Sequence, residues 1–263
     1  MHKISILVVV IFAFLFLAFS SRNKEKYIEN LGFRFIPSGT MQYKGEELSV
    51  NSFYIFETEV TNKQYQEFLY KMKKEKRYDL LKVCAIDSAN WSDALQFENT
   101  YATDYHLTAQ FAEYPVVNIS YEAALLFCAW LQEKINSKVE GAIVRLPSEL
   151  EWVYAAKGGN PSAMYPWDNQ KWKSKSAMEF CNYNSPDDGT CLATNYARSY
   201  IPNAYGLYNM SGNVSEWLNM PGATKGGAWN DDALHMHLEY ADSHSGNTGA
   251  SPYIGFRPIV TMN

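Results

Sequence analysis

Hydrophobic positions recur along the first half of the chain with two different periods, and the switches between them predict its elements. The sequence is apolar from Ile4 to Phe19 except at Ser5, and residues 22–30 are polar and charged, the composition of a linker. Phe33 and Phe35 flank Arg34, an alternation that predicts a strand closed by Pro37-Ser38-Gly39. A second strand is expected over residues 52–57. Thr61 can cap a helix start, with Gln64 three residues on to complete a capping box. Tyr65, Phe68 and Leu69 follow at helical spacing, so residues 62–74 read as a helix. From Lys73 to Glu113 the pattern weakens and predicts irregular chain with one short helix. Residues 115–119 read as a short buried strand. Ser120 caps a helix with Ala124, Phe127, Cys128 and Leu131 on one face, which makes Cys128 a core residue. A third helix follows Ser148, with Glu151 completing a second capping box, and ends at Gly158-Gly159, where glycine adopts the left-handed conformation at little cost. Beyond Asn160, Gly, Asn, Pro and aromatics replace periodicity, so side-chain networks or bound metal are expected to order that half.

The apolar opening has its own reading. Met1-His2-Lys3 precedes it, and Ala18 and Ser20 stand where a signal peptidase would need small residues. The run is shorter than the about 20 apolar residues of a spanning helix. Residues 1–21 are therefore expected to be a signal peptide or, uncleaved, a membrane anchor, and no cysteine follows to carry a lipid. Export places the protein in the periplasm, the outer envelope or at the cell surface. With 263 residues, 47% of them hydrophobic, the remainder is enough for one domain over residues 31–263 after the 22–30 linker. A net charge of −5 gives no electrostatic reason to bind nucleic acid. Of the four cysteines, Cys181 and Cys191 flank a turn-rich segment and either close a short disulfide loop or stand as separate buried thiols. Arg145 and Arg257 are expected to pair with buried acidic residues, since arginine's rigid fork suits that use.

Several short motifs carry more information together than any does alone. In order they are Glu59-Val60-Thr61-Asn62 with Tyr65 and Phe68, Pro115-Val116-Val117, Arg145-Leu146-Pro147-Ser148-Glu149 with Glu151-Trp152, and Tyr165-Pro166-Trp167. They continue with Gly206-Leu207-Tyr208-Asn209-Met210, Gly212-Asn213-Val214 with Glu216-Trp217, Gly226-Gly227-Ala228-Trp229, and Ile254-Gly255-Phe256-Arg257. In this order they resemble the formylglycine-generating-enzyme (sulfatase-modifying-factor) superfamily over nearly all of residues 30–260. The resemblance implies an irregular, compact α+β fold related to C-type lectins, with low secondary-structure content.

The resemblance also implies chemistry. By position, calcium would be held by the side chains of Asn209 and Glu216 and the carbonyls of Gly212 and Val214. A second family calcium site begins at an Asn-aliphatic pair, matched here by Asn182-Tyr183. The family's aerobic enzymes hold Cu(I) through two cysteines shortly after the glycine pair; Asp231 and Met236 stand at those positions. Soft thiolates suit Cu(I) and an aspartate with a thioether does not, so copper is not expected. His235 and His237 would point the same way on a strand, beside Asp231, and can be read as an iron triad or as the polar lining of a groove; iron is not expected. The resulting expectation is a non-catalytic, extracytoplasmic module. It would bind an envelope protein or glycan through Trp229, Asp231, His235 and His237; relatives in motility or secretion machinery share the domain without the cysteines, and the tail from Lys225 to Arg257 resembles theirs. The alternatives are a metal-dependent oxidase or protein-modifying enzyme and a lectin-like receptor.

Overall fold

The computed structural model describes residues 22–95, 103–167, 180–185 and 193–262. At its centre is an antiparallel sheet in the order β1 (Phe33–Ile36), β4 (Phe53–Phe56), β9 (Ile259–Met262) and β5 (Ala142–Arg145). All four residues of β4 are buried, because side chains alternate across a strand and both faces of this one are covered. Tyr54 and Phe56 face a cluster with Phe68, Phe127, Trp130 and Leu131, supplied by α1 (Asn62–Lys74) and α4 (Tyr121–Asn136). Phe53 and Ile55 face the opposite cluster with Trp152 and Val153 of α5 (Glu149–Ala156).

The helix starts follow local chemistry. Thr61 and Ser148 each accept an amide from the third helical residue, and Gln64 and Glu151 return a bond to the cap, so both capping boxes form. Ser120 caps α4 through Ala123, with Cys128 buried on its inner face. After α5, Gly158 (φ 59°) and Gly159 (φ 82°) take the left-handed turn expected of them.

Elsewhere the chain departs from the expected pattern. Residues 22–30, expected as a linker, are helical, and Ile28 is wholly buried in the core. A hairpin of β2 (Gly39–Tyr43) and β3 (Glu46–Val50) occupies chain for which no element was expected. The weakly periodic stretch contains α2 (Tyr78–Val83), α3 (Asn90–Leu95) and a 3-10 turn at Ala109–Phe111, more helix than predicted. Residues 115–119 are buried but form no strand. One isolated bridge joins Pro115 to Thr61, and Asn118 turns the backbone to φ 59°.

A second, small sheet places the later motifs. β6 (Ser215–Trp217) runs antiparallel to β7 (Thr224–Lys225) and parallel to β8 (Ile254–Gly255). From β8 the chain passes through Phe256 and Arg257 into β9 of the central sheet. Val60, just past β4, donates to the Phe256 carbonyl at 2.9 Å, which ties the two sheets together. No described helix is long and apolar enough to cross a membrane.

Candidate functional site

Residues 203–217 turn back through four left-handed positions, Gly206 (φ 78°), Asn209 (φ 51°), Gly212 (φ 77°) and Asn213 (φ 69°). Asparagine tolerates that region better than most residues. Gly212 also lacks room, since a Cβ there would stand 2.5 Å from the Asn182 carbonyl oxygen. The turn delivers Glu216 on β6 to a wholly buried position opposite Arg257, which is also wholly buried. Arg257 donates from Nε to Oε1 and Oε2 at 2.8 and 2.7 Å, and from Nη2 to Oε1 at 2.6 Å. The Trp152 indole adds an N–H to Oε2 at 2.7 Å. A carboxylate has about four lone-pair directions, so these contacts use its accepting capacity. Other guanidinium N–H groups reach the carbonyls of Phe56 and Tyr208 at 3.1 and 2.8 Å. The expected Arg257 ion pair is therefore with Glu216. Arg145 pairs with Glu151 through two bonds of 2.8 Å at the start of α5.

A second carboxylate lies beside this pair. Glu59 is wholly buried and accepts the Nδ2 of Asn213 at 2.8 Å and of Asn209 at 3.2 Å. Burial pushes its carboxyl well above the usual range; Arg257 opposes that effect and Glu216 reinforces it. The raised pKa keeps Glu59 protonated at neutral pH, and ionising it beside Glu216 would leave two negative groups sharing one buried guanidinium unless a cation joined them. The Oδ1 of Asn209 is buried without a hydrogen-bond partner, which costs about 1–3 kcal/mol in a dry interior. An open amide oxygen next to an undercompensated carboxylate fits a hard cation such as calcium, whose ligands are carboxylate, amide and main-chain oxygens. Asn209 turns its Nδ2 toward Glu59, so the open Oδ1 and the Glu59 carboxylate would share one cation only after the amide rotates. Glu216 reaches a cation only by giving up a bond to Arg257 or Trp152. Among the described residues no three His, Cys, Asp or Glu side chains gather, so such a site draws on amide and main-chain oxygens as well. Glu59 opens the first of the motifs in the sequence but was not read there as a site residue.

Asn182 joins the same network. Its Nδ2 donates to the Ala193 carbonyl and to the Asn213 Oδ1 at 3.0 and 3.2 Å, and its carbonyl accepts the Asn213 amide at 2.7 Å. Tyr183 lies apart, in an apolar cluster with Cys181 and Met236. Cys191 falls outside the described residues, and with it the Cys181–Cys191 loop.

The segment after the glycine pair brings some of the expected groove residues together and separates others. Gly227 (φ 70°) has Met236 Cε 2.5 Å from where a Cβ would be, so β7 and the next turn pack backbone to side chain. His235 and His237 do not lie on a strand. Residues Ala233–Met236 form a 3-10 turn capped by Asp232, and His237 ends it. A 3-10 turn has three residues per turn, so residues two apart do not share a face. His235 bonds Asp232 through Nδ1 at 2.8 Å and meets the ring of Tyr240, whereas His237 accepts the Glu239 amide at 3.2 Å and meets Tyr165. Burial holds His237 below its ordinary pKa, with Glu239 opposing. Asp231 turns elsewhere. Its oxygens accept Ala228 N (2.8 Å) and Ser243 Oγ (2.5 Å), and His244 Nε2 lies 3.3 Å away. Burial alone would raise Asp231, but bonds from His244, Ser243 and Ala228 outweigh it and hold the carboxyl below the usual range. Trp229 is nearly buried between Trp91 and Tyr253, and its indole donates to the Pro252 carbonyl at 3.1 Å.

Residues 20–262 match the family described as the sulfatase-modifying factor enzyme 1-like domain. The chain belongs to this family. It is 31% identical over 144 residues to the formylglycine-generating enzyme of Streptomyces coelicolor, covering 52% of this chain and 40% of that one. It is also 31% identical over 161 residues to the inactive C-alpha-formylglycine-generating enzyme 2 of Bos taurus, covering 55% and 50%. The chain thus spans about half the length of the curated relatives it matches. Among solved structures, PvdO from Pseudomonas aeruginosa superimposes with a TM-score of 0.61 at 20% identity, over 87% of this chain and 93% of that one. That likeness is one of fold.

Asp231 and Met236, which the resemblance places where relatives carry copper-binding cysteines, lie apart. Asp231 sits in a polar pocket with Ser243 and His244, and Met236 is wholly buried among Cys181 and Tyr183. The two side chains thus enter different surroundings. Cys84 and Cys128 are core residues. Burial raises the Cys84 thiol to about 11 and pushes Cys128 up as well, which suppresses the thiolate form that reacts or binds metal.

Proposed function

We propose that this sulfatase-modifying factor domain is non-catalytic and serves as an exported recognition module, stabilised by calcium, that binds a protein of the cell envelope. The observation that carries the reading is the pair Asp231 and Met236. One is an ionised carboxylate held by hydrogen bonds and the other a thioether buried in an apolar cluster, and neither can act as a soft thiolate for Cu(I). Calcium would be held by Asn209, Glu59 and the carbonyls of Gly212 and Val214, with Glu216 anchored to Arg257. Bound there it supplies a positive charge that compensates the buried acids and fixes the turn, and it has no part in a reaction. Asn182, on the same network, helps to hold that turn.

The binding face is the segment from Asp231 to Tyr253. Leu234 and Tyr240 are exposed there (61% and 47%), next to the half-buried His235 and His237. Exposed apolar side chains rimmed by polar ones favour a protein contact. A glycan is the second reading. The test is sedimentation of purified protein with envelope fractions from the native cell. The double variant Leu234→Asp, His235→Ala should lose binding about tenfold or more, a change of about 1.4 kcal/mol, with unaltered thermal melting. Undiminished binding by that variant refutes the assignment of this face, and loss of binding on glycosidase treatment selects the glycan.

A further inference from the structure

On the other side of the 203–217 turn, two arginines converge on one carboxylate. Glu57 follows β4 and is 7% exposed. Arg34 of β1 reaches its Oε2 and Arg198 its Oε1. Its backbone is pinned at both ends, with Glu57 N donating to Gly32 O at 2.9 Å and Glu57 O accepting Tyr208 N at 2.8 Å. Two guanidinium groups on one acid leave one positive charge in excess. Each has five N–H donors. Arg34 commits one to the Phe33 carbonyl at 3.3 Å besides its contact with Glu57, and Arg198 lies against the Tyr208 ring, 5.3 Å from its centroid. Both side chains remain partly exposed, at 39% and 57%, so donors on both point outward from a shared anchor. Because the two contacts fall on the two oxygens of one carboxylate, the guanidinium groups are neighbours despite their like charge.

A pocket of about 300 Å³ adjoins Arg198 and Glu57 and is lined also by Thr58, Thr61, Gln64 and Tyr196, with Arg34 outside it across the Glu57 carboxylate. The other acid there, Glu113, is paired with Lys63 at 3.1 Å. We infer that Arg34 and Arg198 form a clamp for a tetrahedral oxyanion, a phosphate or sulfate ester, whose organic part lies in this pocket against Tyr196. Paired guanidinium forks suit such a group because each can donate two parallel N–H bonds to it, whereas an ammonium acts as a point charge. Glu57 is the positioning residue, since it holds two like charges together. The clamp is separate from the Asp231–Tyr253 face, and its success or failure is independent of that reading.

The test is calorimetric titration of the full chain with inorganic phosphate at constant ionic strength, with chloride as the control. Saturable one-to-one binding of phosphate is expected. Arg34→Gln and Arg198→Gln should each weaken it about tenfold or more, as loss of a charge-assisted fork implies. Arg198→Lys keeps the charge, so binding that stays weak in this folded variant supports the fork geometry, and full recovery contradicts it. Glycerol phosphate and N-acetylglucosamine 6-sulfate then distinguish the two sources of the group. Phosphate that binds no better than chloride, or equally well to the Arg34→Gln, Arg198→Gln double variant, overturns the proposal.

Discussion

Replacing Arg257 with methionine keeps an unbranched side chain of similar length and removes the guanidinium that Glu216 faces. The Glu216 carboxylate then remains wholly buried with only the Trp152 indole at 2.7 Å as a donor, and the Phe56 and Tyr208 carbonyls lose a donor each. Breaking a buried ion pair from one side costs about 3–5 kcal/mol, because a charge is left without compensation. That is a large share of the about 5–15 kcal/mol that holds a domain folded. For a domain of this size each kilocalorie moves the melting temperature by about 2–4 °C, so a fall of about 10 °C is expected. Urea denaturation followed by tryptophan fluorescence measures the free energy directly. A double-mutant cycle with Glu216→Gln separates the charge from the packing. The double variant should recover part of the loss, since no ion is left unpaired. A loss below about 1 kcal/mol for Arg257→Met, or no coupling in the cycle, would show that the guanidinium does not compensate the buried Glu216 charge.

Three further outcomes follow from the same geometry. Gly212→Ala meets both a left-handed φ of 77° and a contact of 2.5 Å with the Asn182 carbonyl, so it should cost more than about 2 kcal/mol in thermal melting. His106 is buried and held at a pKa of about 3. Below its unfolded value of 6.5 the unfolded chain takes up a proton that the folded chain refuses, so stability falls as pH drops through the window from 6.5 towards 3. At pH 5 the loss is about 2 kcal/mol relative to neutral pH, and His106→Gln should remove that slope from a pH series of melts. Calcium at about 100 times its dissociation constant should raise stability by about 2.7 kcal/mol, reversed by a chelator and absent in Asn209→Ala; a melt indifferent to calcium would leave the open Asn209 oxygen without its partner.

What the sequence revealed depended on the range of the interaction. The Thr61–Gln64 and Ser148–Glu151 capping boxes span three residues, and both form as read. The β2–β3 hairpin escaped because its turn, Lys44 (φ 52°) and Gly45 (φ 87°), puts a lysine where asparagine or aspartate is the usual signal. Residues 22–30 look like a linker because one side chain, Ile28, accounts for much of the burial of that stretch. Strands of two or three residues such as β6, β7 and β8 are too short for any period to show. At the site, the motif resemblance assigned Asn182 to a second calcium site, whereas the structure bonds it to Asn213 in the same network as Asn209; the pairing of Glu216 with Arg257 and the contact of Glu59 with Asn209 span 41 and 150 residues and were not legible. The two histidines were read on a strand because alternation around Met236 imitates one; the Asp232 cap, which accepts the Leu234 amide at 3.0 Å, turns the chain into a 3-10 helix instead.

The most direct check on the proposal that the domain is non-catalytic is anaerobic titration of the purified protein with Cu(I) against a competing chelator, followed by exposure to oxygen and a cysteine-containing peptide. Weak copper uptake, no oxygen consumption above the protein-free rate and an unchanged peptide mass are predicted. Tight stoichiometric Cu(I) with conversion of the peptide thiol to an aldehyde would contradict the account.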